Sequence, residues 1–505
     1  MVNGPDVTEA TAFAETHSAI VVFVGDRAYK FKKPVDLGFL DFSTREARQR
    51  ACRREVELNR RLAPDVYLGV ADITGPDGAP CDHLVVMRRM PDDRRLTALL
   101  GKGEAASGCV REVARQIAAL HARVPTSVSD PAIGRVATRD AVAGNWDDNF
   151  DTMRPFVGDV LPDDESRRVH RLVRRYLAGR RRLFDDRIAG AMVRDGHGDL
   201  LAEDIFCLDD GTRILDCLDF ADRYRYGDVL LDVAFLAMDL ERLGHPDAAA
   251  RFLAWYTEFS GEHHPDSLAH HYIAYRAHVR AKVACLRHAQ GDPAMADQAR
   301  SLHRLALEHL RQGQVALALV GGLPGTGKST VASALSDTLG WAVLRSDEIR
   351  KDVAGLGHTV AARGPVDVGL YRPERVAEVY RKMLGRAQAL LQSGVPVVLD
   401  ASWTSAADRR AAAELAQATS SALVQIRCET GLDVARARLA ARPAGADPSD
   451  ATADVLDALA ERADPWPDAT IVRTDVPIDG VLAAARAAVI QQLDLAEGQG
   501  RDHDP

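Results

Sequence analysis

The 505-residue chain has little lysine, no closely paired cysteines and no long apolar stretch. Lysine supplies only eight of its 64 basic residues, and 73 acidic residues leave a formal net charge of −9. A protein that binds polyanions over a broad surface normally carries a positive charge. We therefore do not expect nucleic acid as a partner.

The cysteines are seven in number, widely scattered, and never arranged as C-x-x-C. This pattern predicts neither a disulfide framework nor a zinc site. The start of the chain, Met1–Asp6, has no basic residue followed by an apolar segment, so we expect no signal peptide. No window of about 18 apolar residues is present, as a membrane-spanning helix would require. We expect a soluble, cytoplasmic protein without a membrane partner.

The length and the ordinary globular composition, 46% hydrophobic and 27% charged, predict several domains. The apolar run Val315–Val320 is followed by a glycine-rich turn and a helix-like stretch, Val331–Leu339, in the order that opens an α/β domain with a parallel sheet. A helical segment, Asp297–Gln312, precedes it. We predict a first domain over 1–300, a second over 301–495 and a frayed polar tail over 496–505.

The glycine-rich turn matches G-x-x-x-x-G-K-[ST], the Walker A pattern, at every fixed position. Glycines let backbone N–H groups close around phosphates, a lysine reaches the β- and γ-phosphates, and a hydroxyl binds Mg²⁺. The sequence thus predicts ATP and Mg²⁺ as ligands, with Ser329 as a metal ligand. The predicted nucleotide-binding residues are Gly322, Pro324, Gly325, Thr326, Gly327, Lys328, Ser329 and Thr330.

Two further segments suit this kind of domain. Val397–Asp400 is an apolar strand that ends in a carboxylate, as expected of a Walker-B-type Mg²⁺ ligand, and Leu344–Arg350 lies where a second strand would end. The combination resembles the P-loop kinases of small molecules and nucleic-acid ends: gluconokinase, chloramphenicol phosphotransferase, zeta toxin and polynucleotide kinase. The resemblance implies that Asp347 is the general base for an acceptor hydroxyl and that Arg350 binds substrate. The alternative for Asp347 is a helix N-cap.

Arg438 and Arg442 lie four residues apart, on one face of a predicted helix. In the resembled kinases a lid presents such arginines to the transferring phosphate, and the resemblance implies that catalytic role here. The alternative is a solvent-exposed helix face.

A second motif lies in the first domain. His197-Gly198-Asp199 is followed five residues later by Asp204, where kinases with H-R-D-x-x-x-x-N carry a Mg²⁺-binding Asn. The segment resembles the aminoglycoside-phosphotransferase-like kinases. The resemblance implies Asp199 as base and Asp204 as metal ligand, since a carboxylate also suits Mg²⁺. The departure from Asn also allows a pseudokinase without turnover.

The strand-like run Arg213–Phe220 carries two acids. The resemblance assigns the second metal-binding carboxylate to Asp216, with Asp219 as the alternative.

The beginning of the chain predicts a hairpin, Ala19–Val24 and Ala28–Phe31, and then a helix over Ser43–Leu62 opened by a capping box of Ser43 and Glu46. Lys30 resembles the nucleotide-binding lysine of the family, with Lys32 as the alternative.

The acidic partner of that lysine follows from helix geometry. At 100° per residue, Glu55 shares the less charged face of the helix, whereas Glu57 lies among arginines. A buried glutamate needs a cation, so we predict an ion pair between Lys30 and Glu55.

Taken together, the motifs resemble a two-domain bacterial family that fuses an aminoglycoside-phosphotransferase-like domain to a P-loop kinase-like domain. This implies a bilobal, protein-kinase-like α+β fold followed by a P-loop α/β fold. From these motifs we expect an ATP- and Mg²⁺-dependent phosphotransferase with two nucleotide sites and a small hydroxylated acceptor, sugar-like or aminoglycoside-like. The alternatives are a regulatory ATP sensor with a non-catalytic first domain, or a nucleic-acid-end kinase.

Overall fold

The computed structural model describes residues 12–15, 18–36, 41–355, 372–441 and 452–498. The strands, β1 to β14 in chain order, are Ala12–Glu15, Ala19–Val24, Arg27–Lys32, Tyr67–Thr74, Pro80–Arg88, Val193–Asp195, Ile205–Leu208, Gly211–Ile214, Tyr226–Asp228, Ala316–Gly321, Ala342–Arg345, Val397–Asp400, Ala422–Glu429 and Thr470–Arg473. The helices, α1 to α19, are Arg45–Asn59, Leu96–Leu99, Glu104–His121, Pro131–Arg135, Arg139–Met153, Asp163–Ala178, Arg181–Ala189, Asp222–Arg225, Val229–Arg242, Pro246–Ser260, Asp266–Ala289, Met295–Gln312, Lys328–Leu339, Ser346–Ala354, Pro373–Gln392, Ala406–Ala418, Leu432–Ala440, Ala453–Arg462 and Ile478–Gly498.

The chain divides into two units. Unit 1 comprises 1–156, 184–264 and 272–306, and unit 2 comprises the rest. The segments 157–183 and 265–271, which precede the predicted boundary at residue 300, are thus part of unit 2. Whether 1–300 and 301–495 fold as separate domains stays a prediction.

Unit 1 begins with a five-stranded antiparallel sheet in the order β1-β2-β3-β5-β4. The predicted hairpin is present as β2 and β3, joined by a turn in which Gly25 has φ +57°. Helix α1 covers this sheet, and its Cys52 and Val56 pack with Tyr67 and Val85 in one apolar cluster. The sheet and α1 therefore form the smaller lobe of a protein-kinase-like fold.

The predicted cap of α1 is wrong by one residue. Thr44, not Ser43, is the N-cap, and its hydroxyl accepts a hydrogen bond from the Ala47 N–H at 3.1 Å. The Ser43 hydroxyl instead donates to Asp41, two residues earlier. Ser43 and Thr44 both carry a hydroxyl that can accept a backbone N–H, and the helix begins after the second of them.

The rest of unit 1 is mostly helical, with two short antiparallel pairs, β6 with β9 and β7 with β8. The strand expected over Arg213–Phe220 ends at Ile214. At Asp216 the backbone has φ +60°, a left-handed conformation that a continuing strand does not adopt. The acids of this run therefore lie in a loop that follows β8.

Unit 2 contains a five-stranded, fully parallel sheet in the order β11-β12-β10-β13-β14. Its central strand β10 is buried at every position because neighbours pair with it on both sides. Apolar residues of α13 and α19 pack against the sheet. Unit 2 is thus a P-loop α/β fold, in which the carboxyl ends of the parallel strands share one edge.

Two further expectations are corrected. The structure joins Cys109 of α3 to Cys207 of β7 in a disulfide, a pairing over 98 residues that the scattered spacing did not indicate. The frayed tail does not begin at residue 496, because α19 continues to Gly498. The Glu497 side chain is buried there and binds Arg311 and Gln314. Within the described ranges, no helix has the length and apolar composition needed to cross a bilayer.

Candidate functional site

In unit 2 the predicted P-loop connects the end of β10 to the start of α13. Gly322 and Gly325 have φ of +142° and +80°, and a Cβ on either would lie 2.6 Å from a backbone oxygen, that of Cys428 and Ala435 respectively. Only glycine fits both positions. Gly327, at φ +83°, is the N-cap of α13.

The loop is fixed by hydrogen bonds at its carboxyl-terminal side. The Thr326 hydroxyl donates to the Leu323 carbonyl at 2.8 Å, and the Thr474 hydroxyl donates to the Thr326 carbonyl at 2.7 Å. Lys328 is the first residue of α13, and Ser329 and Thr330 follow it with exposed side chains. A helix N-terminus preceded by such a loop provides backbone N–H groups and positive potential for phosphates. Pro324, also predicted to contact nucleotide, lies within this loop.

Asp400 ends β12, beside the P-loop strand. Burial raises the pKa of its carboxyl, opposed by the Lys328 charge and a hydrogen bond from Ser329. Its Oδ1 atom is buried and accepts no hydrogen bond from any residue in the described ranges. A buried carboxylate oxygen next to a serine hydroxyl fits a Mg²⁺ ion, which takes hard oxygen ligands.

The first turn of α14 carries the predicted base. Asp347 is the second residue of this helix and pairs with Arg350 one turn later. The N-cap of this helix is Arg345, so the alternative in which Asp347 is the N-cap is wrong. The Asp347 charge contributes to the raised pKa of Asp400, which places the two carboxylates in one electrostatic neighbourhood.

Arg345 is a site residue for which the sequence predicted no role. Its Nε lies 3.9 Å from Asp400 Oδ2, and its Nη2 donates to Ser333 Oγ at 2.7 Å. It is the last residue of β11, at the same sheet edge as Asp400. The position of Arg345 at the end of a predicted strand could have indicated a role in the site. Arginine is so frequent in this chain that this position alone did not distinguish it from the others.

Of the two predicted lid arginines, Arg438 of α17 lies against the P-loop. Its Nη2 donates to the Thr474 carbonyl at 2.7 Å, and its Nη1 lies 3.4 Å from the Gly325 carbonyl. Arg438 is nevertheless exposed, so the helix face that carries it is both solvent-accessible and in contact with the P-loop. Arg442 lies outside the described residues.

In unit 1 the predicted contact between Lys30 and Glu55 is present at 2.8 Å. Lys32, the alternative lysine, binds the other oxygen of Glu55 at 2.7 Å. Only 1% of the Glu55 side chain is exposed. Burial would raise its pKa, but the two ammonium groups outweigh it and hold the pKa below its ordinary value. Glu57, by contrast, is exposed and pairs with Arg54.

Each lysine also contacts one of the two candidate carboxylates that follow β8. Lys30 lies 2.7 Å from Asp216, and Lys32 lies 2.7 Å from Asp219. Lys30 is the largest cause of the lowered pKa of Asp216. The Asp216 side chain is half exposed, whereas Asp219 is mostly buried. The accessible Asp216 is thus better placed to reach a ligand.

Asp199, Asp204 and Asp216 interact electrostatically. Burial raises the pKa of Asp199 to about 6, and the charge of Asp216 adds to it. Burial also raises the pKa of Asp204 well above its ordinary value, again with a contribution from Asp216. In the described part of the chain, no three His, Cys, Asp or Glu side chains form a metal cluster by themselves. Mg²⁺ in kinases takes one or two carboxylates and completes its shell with phosphate oxygens and water, so this arrangement fits it.

The loop that carries Asp199 is held by Asp232 of α9, another residue without a predicted role. Its carboxylate accepts the N–H groups of His197 and Gly198 at 2.8 and 2.7 Å, and His121 Nε2 lies 3.0 Å away. Burial lowers the pKa of His197 to about 4, so its imidazole is neutral and donates through Nε2 to the Leu215 carbonyl. A buried aspartate inside an apolar helix was the signal that could have identified Asp232.

Known proteins match both the whole chain and its parts. The chain is 44% identical over 453 residues to the "Uncharacterized protein Rv2004c" of Mycobacterium tuberculosis H37Rv, covering 90% of each chain. It is equally similar to the "Uncharacterized protein Mb2027c" of Mycobacterium bovis. The chain belongs to their family. Residues 317–466 match the model of an AAA domain, which covers the P-loop, β11 and β12 of unit 2.

Solved structures resemble the chain only in part. A gluconokinase from Sinorhizobium meliloti 1021 covers 37% of this chain and 98% of its own, at 18% identity and a TM-score of 0.27. A choline/ethanolamine kinase family protein from Mesorhizobium loti covers 60% and 93%, at 15% identity and a TM-score of 0.37. The GDP and kanamycin complex of APH(2")-IIia covers 59% and 93%, at 13% identity and a TM-score of 0.39.

Proposed function

We propose that the protein is an ATP- and Mg²⁺-dependent phosphotransferase with a nucleotide site in each unit, transferring the γ-phosphate to a hydroxyl of a small molecule. The observation that carries this proposal is in unit 2, where a carboxylate, Asp347, stands beside the P-loop in addition to Asp400. A carboxylate there can accept the proton of an acceptor hydroxyl, and the arginine paired with it can orient that acceptor.

In unit 2 each group has a separate task. Ser329 and Asp400 would hold Mg²⁺, and Lys328 binds the phosphates. The ion would supply positive charge against the phosphate oxygens. Asp347 takes the proton of the acceptor hydroxyl. The hydroxyl oxygen bonds to the γ-phosphorus as the bond between that phosphorus and the ADP oxygen breaks. Arg350 orients the acceptor, and Arg438 stabilises charge on the transferring group.

In unit 1 the same chemistry is distributed over different elements. Lys30, held by Glu55, binds the phosphates, and Asp204 with Asp216 would hold Mg²⁺. Asp199 accepts the proton of the acceptor. Its pKa near 6 suits a general base, which is most efficient when its pKa approaches the working pH.

The charges around Asp199 bear on the acceptor of unit 1. The guanidinium groups of Arg276 and Arg280, one turn apart on α11, both lower the pKa of Asp199 and so stand near it. The carboxylates of Asp216 and Glu203 also lie near Asp199 and raise its pKa, so charges of both signs surround the base. The acceptor of unit 1 is therefore either sugar-like or aminoglycoside-like, and a panel of both classes distinguishes them.

The test is transfer of labelled γ-phosphate from ATP to a panel of sugars, sugar acids, polyols and aminoglycosides by the full chain. We expect a labelled acceptor with native protein. The variant Asp347→Asn should keep nucleotide binding in unit 2 but lose about 10²- to 10⁴-fold in transfer there, because only the proton acceptor is removed. Transfer at native rates by the variant Asp199→Asn/Asp347→Asn would refute the proposed bases.

A second candidate function is a regulatory ATP sensor in which unit 1 is a pseudokinase. It is favoured by Asp204 in the position of the metal-binding Asn. The same panel separates the two, because a sensor would bind nucleotide in unit 1 and label no acceptor through Asp199. A nucleic-acid-end kinase, the remaining alternative, is disfavoured by the net charge of −9.

A further inference from the structure

Unit 2 contains a small cleft whose lining residues belong to no part of the proposed kinase sites. Val315, just before β10, and Ser420, just before β13, line it, so it lies at the amino ends of these strands. The P-loop follows the carboxyl end of β10, at the opposite edge of the sheet. The cleft is therefore separate from the nucleotide site of unit 2.

A buried arginine, Arg180, lines this cleft, and only 1% of the residue is exposed. Its Nη1 donates to the carbonyls of Gly179 and Thr419 at 3.0 and 2.9 Å, and its Nη2 donates to Ser421 Oγ at 3.3 Å. All three acceptors are neutral. Its Nε is buried and donates to no atom of the described residues.

No carboxylate in the described ranges forms an ion pair with Arg180, so its charge is not neutralised there. Burial, together with the nearby charge of Arg175, which also lines the cleft, lowers its pKa to about 10. Burying a charge without a counter-charge costs several kcal/mol or more. An anion in the cleft would remove most of this cost.

We propose that the cleft is a binding site for a small oxyanion, a carboxylate or phosphate group that pairs with Arg180 and Arg175. A guanidinium offers parallel N–H donors that match two oxygens of such a group. A neutral ligand lacks the charge, and a halide lacks the two oxygens, that this arrangement fits. The ring of Tyr176 and the side chain of Val315 form an apolar wall beside these cations. The ligand is thus an oxyanion that carries at most a small apolar group.

The test uses the full chain in a Lys328→Ala background, which removes the main phosphate contact of the P-loop. Sodium phosphate and sodium acetate are titrated separately by calorimetry. Ser420→Asp places a carboxylate in the cleft, and Ser420→Asn has the same shape without the charge. Ser420 has φ +47°, a conformation that both Asp and Asn tolerate.

We expect phosphate or acetate to bind, and the affinity to fall by about tenfold or more in Ser420→Asp but to persist in Ser420→Asn, because only the former places negative charge beside Arg180. Arg175→Gln should weaken binding, whereas Arg174→Gln, on the exposed side of α6, should not. The anion that binds, phosphate or acetate, shows whether the cleft accepts a phosphate or a carboxylate group. Failure of both anions to bind, or equal binding by Ser420→Asp and Ser420→Asn, would overturn the proposal.

Discussion

At the scale of single residues, Asp199 connects the structure to a pH dependence. In the folded protein burial raises its pKa to about 6, so the carboxylate is protonated below that pH and cannot accept a proton. We expect phosphotransfer in unit 1 to rise with pH, to be half-maximal near pH 6 and to level off above it. Transfer rates measured from pH 4.5 to 8.5 in a Lys328→Ala background check this. A rate independent of pH across that range would contradict it.

The same pKa also has a consequence for stability. A folded-state pKa above the unfolded value means that charging Asp199 costs stability as the pH rises through about 6. The variant Asp199→Asn lacks this cost. Relative to native protein, its free energy of unfolding should therefore increase between about pH 4 and pH 6 and remain constant above. Denaturant unfolding at several pH values measures the difference, and a constant difference would show that Asp199 is not buried as described.

Asp204 decides whether unit 1 is a working kinase. If it binds Mg²⁺, Asp204→Ala should lose Mg²⁺-dependent nucleotide binding, while Asp204→Asn restores the usual ligand. The native carboxylate adds negative charge near the phosphates, so native protein should depend more steeply on Mg²⁺ concentration than the Asn variant. A Mg²⁺ titration of nucleotide binding in a Lys328→Ala background measures this. Identical titrations for native and Ala proteins would show that Asp204 is no ligand and would favour the pseudokinase.

At the scale of elements, the P-loop depends on its contact with α17. A Cβ at Gly325 would lie 2.6 Å from the Ala435 carbonyl, and its φ of +80° disfavours any other residue. Gly325→Ala should therefore displace α17, with Arg438, from the loop and weaken nucleotide binding in unit 2 by about tenfold or more, a loss of about 1.4 kcal/mol.

The matched control is Gly385→Ala in α15, where a Cβ would meet nothing within 4 Å. This change should leave nucleotide affinity intact and stabilise the fold by about 0.5–1 kcal/mol, since glycine is unfavourable inside a helix. Calorimetric titration of nucleotide with both variants separates the effects. Native affinity in Gly325→Ala would contradict the close contact.

The elements that the sequence predicted well are those with a local cause. The P-loop, its flanking strand and helix, and the β2–β3 hairpin depend on residues within about ten positions of each other, so their patterns are complete in one segment. The cap of α1 was predicted one residue too early, because Ser43 and Thr44 are both suitable N-caps and the pattern does not distinguish them. The strand predicted over Arg213–Phe220 was too long, because the backbone at Asp216 is left-handed and a strand cannot continue through it.

At the scale of the whole molecule, the candidate sites were predictable as residue types but not as sets of contacts. Lys30 and Glu55 were paired from helix geometry, because both lie on regular elements. The contacts of Lys32 with Asp219, and of Asp232 with the loop at His197, join residues that are far apart in sequence. Such pairs depend on how distant elements pack, which no local pattern records. The Cys109–Cys207 disulfide was missed for the same reason.

A nucleotide site in each unit predicts a definite nucleotide stoichiometry for the full chain. With Mg²⁺ and a non-hydrolysable ATP analogue, calorimetry should give two bound nucleotides for native protein. Lys328→Ala and Asp216→Ala should each bind one, and the double variant none, because each change removes one set of phosphate or metal contacts. One nucleotide per native chain, or two in either single variant, would contradict the account.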